Sequence, residues 1–212
     1  MLRWLEVSAF AAILVCAAIL RAGAQDVSSS TPFASLPTAP SGFPLIGGAT
    51  GVPDTSDTLP LVTAAASNDI AAVSEMLDER ANPDQVESYG RTALIYAAMN
   101  NNADIAQTLV SRGAKLDVRD NLGKTALHWA AERGSIAVMR LLLQAKASVD
   151  IQTRQGQTPL MLAANNGQTE AVRLLLRYHA NPSINDYSGR DAISWAGDRV
   201  AIVEELKTAE AR

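Results

Sequence analysis

From about residue 59 onward the sequence repeats itself every 33 residues. Gly90, Gly123, Gly156 and Gly189 mark the period, and Thr92, Thr125 and Thr158 keep the same step. Leu94, Leu127 and Leu160 follow it, as do the alanine pairs 97–98, 130–131 and 163–164 and the later column Ala114, Ala147, Ala180. A fixed period of this length constrains a chain more than any bulk property. Each unit is one small supersecondary element that cannot bury its own apolar face, so it is stable only when stacked on its neighbours.

The unit reads as two short helices. Leu127, Ala130 and Ala131 place an apolar stripe on the first, which Gly134 ends. Val138, Leu141 and Leu142 give the second its stripe at helical spacing. The segment "DVRDNLGKT" joins one helix pair to the next, and Gly123 can take the positive φ that such a turn needs. Composition agrees: 48% of the chain is hydrophobic but only 5% aromatic, so its apolar share is mostly Ala, Leu, Val and Ile, which suits helix-on-helix packing. The units run at about 59–90, 91–123, 124–156, 157–189 and 190–212. Leu59 stands where the other units have Thr, and the last unit aligns only if about two residues are missing near Asp198. Both end units are more polar, with Ser74, Glu75 and Asp78 in the first and "EELKTAEAR" closing the last, as expected where one side faces water.

The stretches "RTALIYAAMNN", "KTALHWAAERG" and "QTPLMLAANNG" carry a resemblance. They are similar to the Thr-Pro-Leu-His-x-Ala signature of ankyrin repeats, and residues 59–212 resemble that family throughout. The resemblance implies an all-α solenoid of helix–turn–helix units joined by β-turn or hairpin loops. It also implies a non-enzymatic module that binds a protein partner through its turn tips and the concave face of its first helices. Mapped by column, the tips are Tyr89 and Arg91, then Arg119, Asn121, Leu122 and Lys124, then Arg154 and Gln155, then Tyr187 and Arg190. The first-helix ends add Met99, Asn100, Glu132, Arg133, Asn165 and Asn166. Basic residues recur there although the net charge is −4, and Tyr89 and Tyr187 are apt contact residues.

Only two histidines exist to carry chemistry. In the family, the histidine matching His128 accepts from the Thr hydroxyl, here Thr125, and bridges to the backbone of a neighbouring repeat, so a structural role is expected for both. Its column holds Ile95, Met161 and Ser194, which no catalytic requirement links. His179 falls in the column of Gly113 and Lys146, at a helix C-terminal cap. The two histidines lie about fifty residues apart and make a poor metal set. Trp129 and Trp195 share a column with Tyr96 and Leu162, which reads as inter-helix core. No Ser-His-Asp set or carboxylate pair stands out. The expectations are no enzyme activity, no cofactor, no metal and, without a clustered basic surface, no nucleic-acid partner. A monomer is expected.

The first residues read differently. Arg3 precedes an apolar stretch, Val7 to Leu20, followed by Ala22-Gly23-Ala24. This is the pattern of a secretory signal peptide, residues 1–24, cleaved between Ala24 and Gln25. The stretch is short for a spanning helix, which needs about 20 residues, so the alternative is an uncleaved membrane anchor. The lone Cys16 follows Val15 rather than the small residue of a lipoprotein site, and it leaves with the signal. A thiol-free mature chain suits an oxidising compartment. The signal resembles bacterial ones, so a periplasmic or secreted location is expected, with no membrane contact for the mature chain. Residues 25–58 carry five prolines and no periodicity, and read as a disordered linker. "GGATG" at 47–51 lacks the Gly-Lys-Ser/Thr ending of a phosphate loop. The alternatives to an exported binding module are a secreted effector acting on a host protein and an enzyme built on a repeat scaffold.

Overall fold

The computed structural model describes residues 60–210. The expected signal peptide, the Ala24/Gln25 cleavage site and the linker lie outside the described residues. Ten helices form five pairs: α1 (Pro60–Ala66) and α2 (Ile70–Asp78), α3 (Ala93–Met99) and α4 (Ala103–Ser111), α5 (Ala126–Arg133) and α6 (Ile136–Gln144), α7 (Pro159–Asn165) and α8 (Thr169–Arg177), α9 (Ala192–Ala196) and α10 (Val200–Glu210). No strand occurs among the described residues. The described residues form an all-α repeat stack.

The helices start and stop where local chemistry dictates. Thr92 and Thr158 cap α3 and α7 by accepting the amides of Ile95 and Met161. Each complete helix pair turns on a left-handed residue: Asn68, Asn101, Gly134 and Gly167. The following residue bonds back into the first helix, as in Asn102 N–H to Ala97 O at 2.9 Å and Ser135 N–H to Ala130 O at 2.8 Å, and itself opens the second helix. Second helices end the same way, with Arg80, Gly113, Lys146 and His179 at positive φ. Ala114, Ala147 and Ala180 then bond to Leu109, Leu142 and Leu175 and tuck into the core. That hydrogen bond, with its apolar contact, is the physical basis of the alanine column. His179 is the αL residue of this motif and faces solvent.

Stacking forms two rows. First helices pack on first helices (α1, α3, α5, α7, α9) and second on second (α2, α4, α6, α8, α10), the first row more closely. The alanine pairs, fully buried, permit that close approach. A stack tighter along one row curves toward it, which turns the first helices inward. Leu61, Leu94, Leu127 and Leu160 run along the first row, and Ile105, Leu109, Leu142 and Leu175 along the second, all at most 1% exposed. In the last pair, α9 and α10 begin at 192 and 200, two residues closer than α7 and α8 at 159 and 169. The contraction shortens α9 and falls at Gly197-Asp198.

Polar groups tie unit to unit. Asp84, Asp117 and Asp150 accept the amides of Lys115, Ser148 and Asn181 in the next unit at 2.7, 3.1 and 3.1 Å. Burial pushes the Asp150 carboxyl up, against the opposing pull of the Asn181 amide. The hydroxyl of Ser135, itself buried, donates to Ala98 O at 3.0 Å.

Candidate functional site

Four turns carry the tips, each closed by paired backbone bonds. The amides of Glu87, Asp120, Thr153 and Asp186 donate to the carbonyls of Arg91, Lys124, Gln157 and Arg190. Gly90, Gly123, Gly156 and Gly189, all at positive φ, donate back to the first residue of each turn. Neighbouring tips are joined through backbone: Asn121 N–H to Tyr89 O at 2.9 Å, Arg154 N–H to Leu122 O at 3.1 Å, and Tyr187 N–H to Gln155 O at 3.2 Å. The contact is close enough that a Cβ on Gly156 would lie 2.6 Å from the Tyr187 nitrogen, and one on Gly123 2.7 Å from that of Arg154. The tips therefore form one continuous, hydrogen-bonded edge.

The acidic residue of the turn faces inward. Asp120 is 4% exposed. Its Oδ1 accepts the amides of Leu122 and Lys124, and its Oδ2 accepts the indole N–H of Trp129 at 2.9 Å. Asp186 repeats the arrangement with Ser188, Arg190 and Trp195. Burial pushes the Asp186 carboxyl up, but the Arg190 and Ser188 amides, the Trp195 indole and the Arg190 charge outweigh it and hold the group below the usual carboxylate range. In the third unit Thr153 substitutes, its hydroxyl accepting from Gln155 and Gln157. The tryptophan column is thus more than inter-helix packing: each indole packs at the core and fastens a turn to the first helix that follows it.

Cations cover these rings. Lys124 Nζ lies 4.2 Å from the Trp129 centroid and pairs with Glu132, and the Arg190 guanidinium lies 4.0 Å from that of Trp195. The Arg91 guanidinium sits 5.4, 5.8 and 5.1 Å from Tyr89, Tyr96 and Trp129. Its Nε is buried without a hydrogen-bond partner, 4.0 Å from the Asp120 carboxylate. Arg91, Lys124, Glu132 and Met99 are half-buried. Asn121 is exposed but donates to Ser88 O at 2.9 Å, Asn100 to Ala66 O at 3.0 Å, and Asn166 to Leu162 O at 2.9 Å. Arg119, Arg133, Arg154, Gln155 and Asn165 are exposed. Tyr89, Leu122 and Tyr187 present the broadest apolar surface at the tips, at 62%, 51% and 73% exposure.

His128 is fully buried beneath this edge. Its Nδ1 accepts the Thr125 amide at 3.1 Å and meets the Thr125 hydroxyl at 2.9 Å, while Nε2 faces the Gln157 carbonyl at 3.2 Å. An N–H donates to Nδ1 and a carbonyl faces Nε2, so the ring is neutral with its proton on Nε2. Burial lowers its pKa to about 4, and hydrogen bonding to the Gln157 and Ile151 carbonyls only partly opposes that. The bridge to Gln157 crosses to the next unit. In the next column position, Met161 uses its sulfur in the same way, accepting the Thr158 amide at 3.4 Å.

Residues 45–120, 61–153 and 145–211 match the family of ankyrin repeats in three copies, and together these matches cover well over half of the chain. The chain belongs to the ankyrin-repeat family. Ankyrin repeats generally mediate protein–protein interaction and typically serve as non-enzymatic scaffolds. No curated protein matches this sequence. Within this ankyrin domain, no group of three or more His, Cys, Asp or Glu among the described residues is placed to hold a metal ion. No helix among the described residues is long and apolar enough to cross a membrane. A groove of about 810 Å³ beside α8 and α10 has His179, Arg173, Arg177 and Glu205 in its walls, with Arg173 Nε donating to Glu205 at 2.7 Å.

Sequence reasoning missed the inward wiring of the ankyrin tips. The signal was present: Asp120 and Trp129 are nine residues apart, as are Asp186 and Trp195, each with a cation four residues after the aspartate. It also missed Asp84, Asp117 and Asp150, which keep the 33-residue step.

Proposed function

We propose that this protein is exported across a membrane by its first 24 residues and there binds a protein partner through its turn tips and first-helix face, without catalysing a reaction. One observation carries the binding reading. Tyr89, Leu122 and Tyr187 stand exposed on an edge whose backbone is fixed by bonds from tip to tip. Large side chains on a preorganised edge lose little freedom on binding, which favours them as contact residues. Arg3, the apolar stretch Val7 to Leu20 and Ala22-Gly23-Ala24 support export to a periplasmic or extracellular space.

Cross-linking in an envelope fraction tests the binding reading. The chain is expected to capture one discrete protein, and Leu122→Ala with Tyr187→Ala to lose it while the melting midpoint holds. Capture unaffected by the tip changes refutes the reading. N-terminal sequencing of the exported species is expected to begin at Gln25; an intact Met1 on a membrane-bound species establishes the anchor instead.

A further inference from the structure

Charge on the described surface is sorted by position. On the second-helix side Arg112, Arg140 and Arg173 pair across the stack with Asp78, Glu170 and Glu205 of adjacent units, and Arg177 at the end of α8 is exposed with no ion pair to any described residue. The acids of the tips are consumed inward. Asp120 and Asp186 are held by turn amides and indoles, and Glu87 receives the hydroxyls of Ser88 and Tyr96. Among the tip cations Arg119 and Arg154 differ from Arg91, Lys124 and Arg190, which face carboxylates of the chain. Arg119 and Arg154 are exposed, and neither forms an ion pair with any described residue. Away from the tips Arg133 and Arg177 are likewise exposed without an ion pair to any described residue. Arg119 and Arg154 lie on adjacent tips joined by the bond from Arg154 N–H to Leu122 O. Apolar exposure is sorted the same way: of six exposed large hydrophobics among the described residues, Val86, Tyr89, Leu122 and Tyr187 are on the tips. A net-acidic domain thus shows its partner uncompensated arginines set among apolar side chains.

We infer that the partner surface is an acidic segment of polypeptide with apolar or aromatic side chains between its carboxylates, lying along the tips so that Arg119 and Arg154 each meet a carboxylate beside Leu122 and Tyr187. This rests on the binding reading above and names the chemistry of its partner. Guanidinium groups suit bidentate pairing with carboxylates. A nucleic acid fits less well. Its affinity grows with the number of phosphates neutralised, and the two unpaired arginines of the tips, on a chain of net charge −4, neutralise few.

The test is fluorescence anisotropy on the purified full chain at about 0.15 M salt. The probes are a labelled glutamate–tyrosine copolymer, a lysine–tyrosine copolymer and an oligothymidylate. Saturable binding of the acidic copolymer alone is expected. Arg119→Glu with Arg154→Glu should weaken it by about tenfold or more, whereas Arg140→Glu with Arg177→Glu, the same charge change on outer helices, should weaken it by less than about twofold. The neutral pair Arg119→Gln with Arg154→Gln, melting at the wild-type midpoint, should also lose affinity. Failure to bind the acidic copolymer, an equal effect of the outer-helix reversal, or tighter binding of the oligonucleotide overturns the inference. An envelope partner that depends on Leu122 and Tyr187 but ignores the arginine charges overturns this inference and leaves the binding reading standing. One that ignores all four residues overturns both.

Discussion

Between pH 7 and pH 5 acid should weaken this domain through His128, before the depressed Asp186 carboxyl takes up its proton. The His128 pKa is about 4 in the folded protein against an ordinary 6.5, because burial opposes the charged form. The folded value is depressed, so the unfolded chain takes up the proton first. The stability that the neutral ring contributes is present in full above pH 6.5 and is lost as pH falls from there toward 4. The whole shift corresponds to about 3 kcal/mol, and between pH 7 and pH 5 about 2 kcal/mol should disappear. For a domain of this size that is a fall in melting midpoint of roughly 4–8 °C.

The control comes from the chain itself. Met161 fills the same column and accepts the Thr158 amide on its sulfur, so His128→Met keeps an acceptor for Thr125 and removes the titration. It also removes the bond to Gln157, so at pH 7 the variant should be less stable by about 1 kcal/mol. By pH 5 it should equal or exceed the wild type. Circular dichroism melts of both proteins at pH 7, 6 and 5 read the difference. Every other group is common to both proteins and cancels. Parallel lines, with the gap between the two proteins constant in pH, would refute the buried, neutral imidazole and reopen a solvent-facing role for His128.

Two further outcomes are expected. Leu142→Ala empties a fully buried position between second helices and should lose about 2–5 kcal/mol, while Arg119→Ala at an exposed tip should shift stability by about half a kcal/mol or less; equal thermal midpoints would contradict the assignment of core and surface. Trp129→Phe keeps a ring beneath Lys124 but withdraws the indole donor from the buried Asp120 carboxylate, so urea denaturation should show a loss of about 1–3 kcal/mol; an unchanged midpoint would mean the turn does not need that bond.

The stack was legible because its determinants are periodic. Leu94, Leu127 and Leu160 repeat since each faces the same neighbour environment one unit on, and Gly90, Gly123, Gly156 and Gly189 repeat since each turn needs the same positive φ. The second-helix ends were harder to read. Arg80, Lys146 and His179 adopt the left-handed conformation that Gly113 adopts in their column, and only the glycine declares it. The wiring of Asp120 to Trp129 was legible only in part. Its spacing recurs in two units of five, and in a third the carboxylate is replaced by the Thr153 hydroxyl, which meets the same turn amides with different chemistry.

The binding surface was the least legible, and its physics explains why. A column stays uniform where packing or backbone geometry sets the residue, and it varies where neither does. Ser88, Asn121, Arg154 and Tyr187 occupy one column and share one backbone register, with Asn121, Arg154 and Tyr187 each donating an amide to the preceding tip. All four are exposed, so the scaffold fixes where each side chain emerges and leaves its identity open. Asn121 is spent on the carbonyl of Ser88. Arg154 and Tyr187 have no such obligation within the stack. The same rule separates the tip cations: Lys124 and Arg190 are held by Glu132 and Asp186, while Arg119 and Arg154 form no ion pair with any described residue. Recognition in a repeat protein is therefore to be sought in the columns that refuse to repeat, once the side chains used internally have been subtracted. At the tips that subtraction leaves Arg119, Arg154 and Gln155 together with the exposed apolar side chains of Val86, Leu122 and Tyr187.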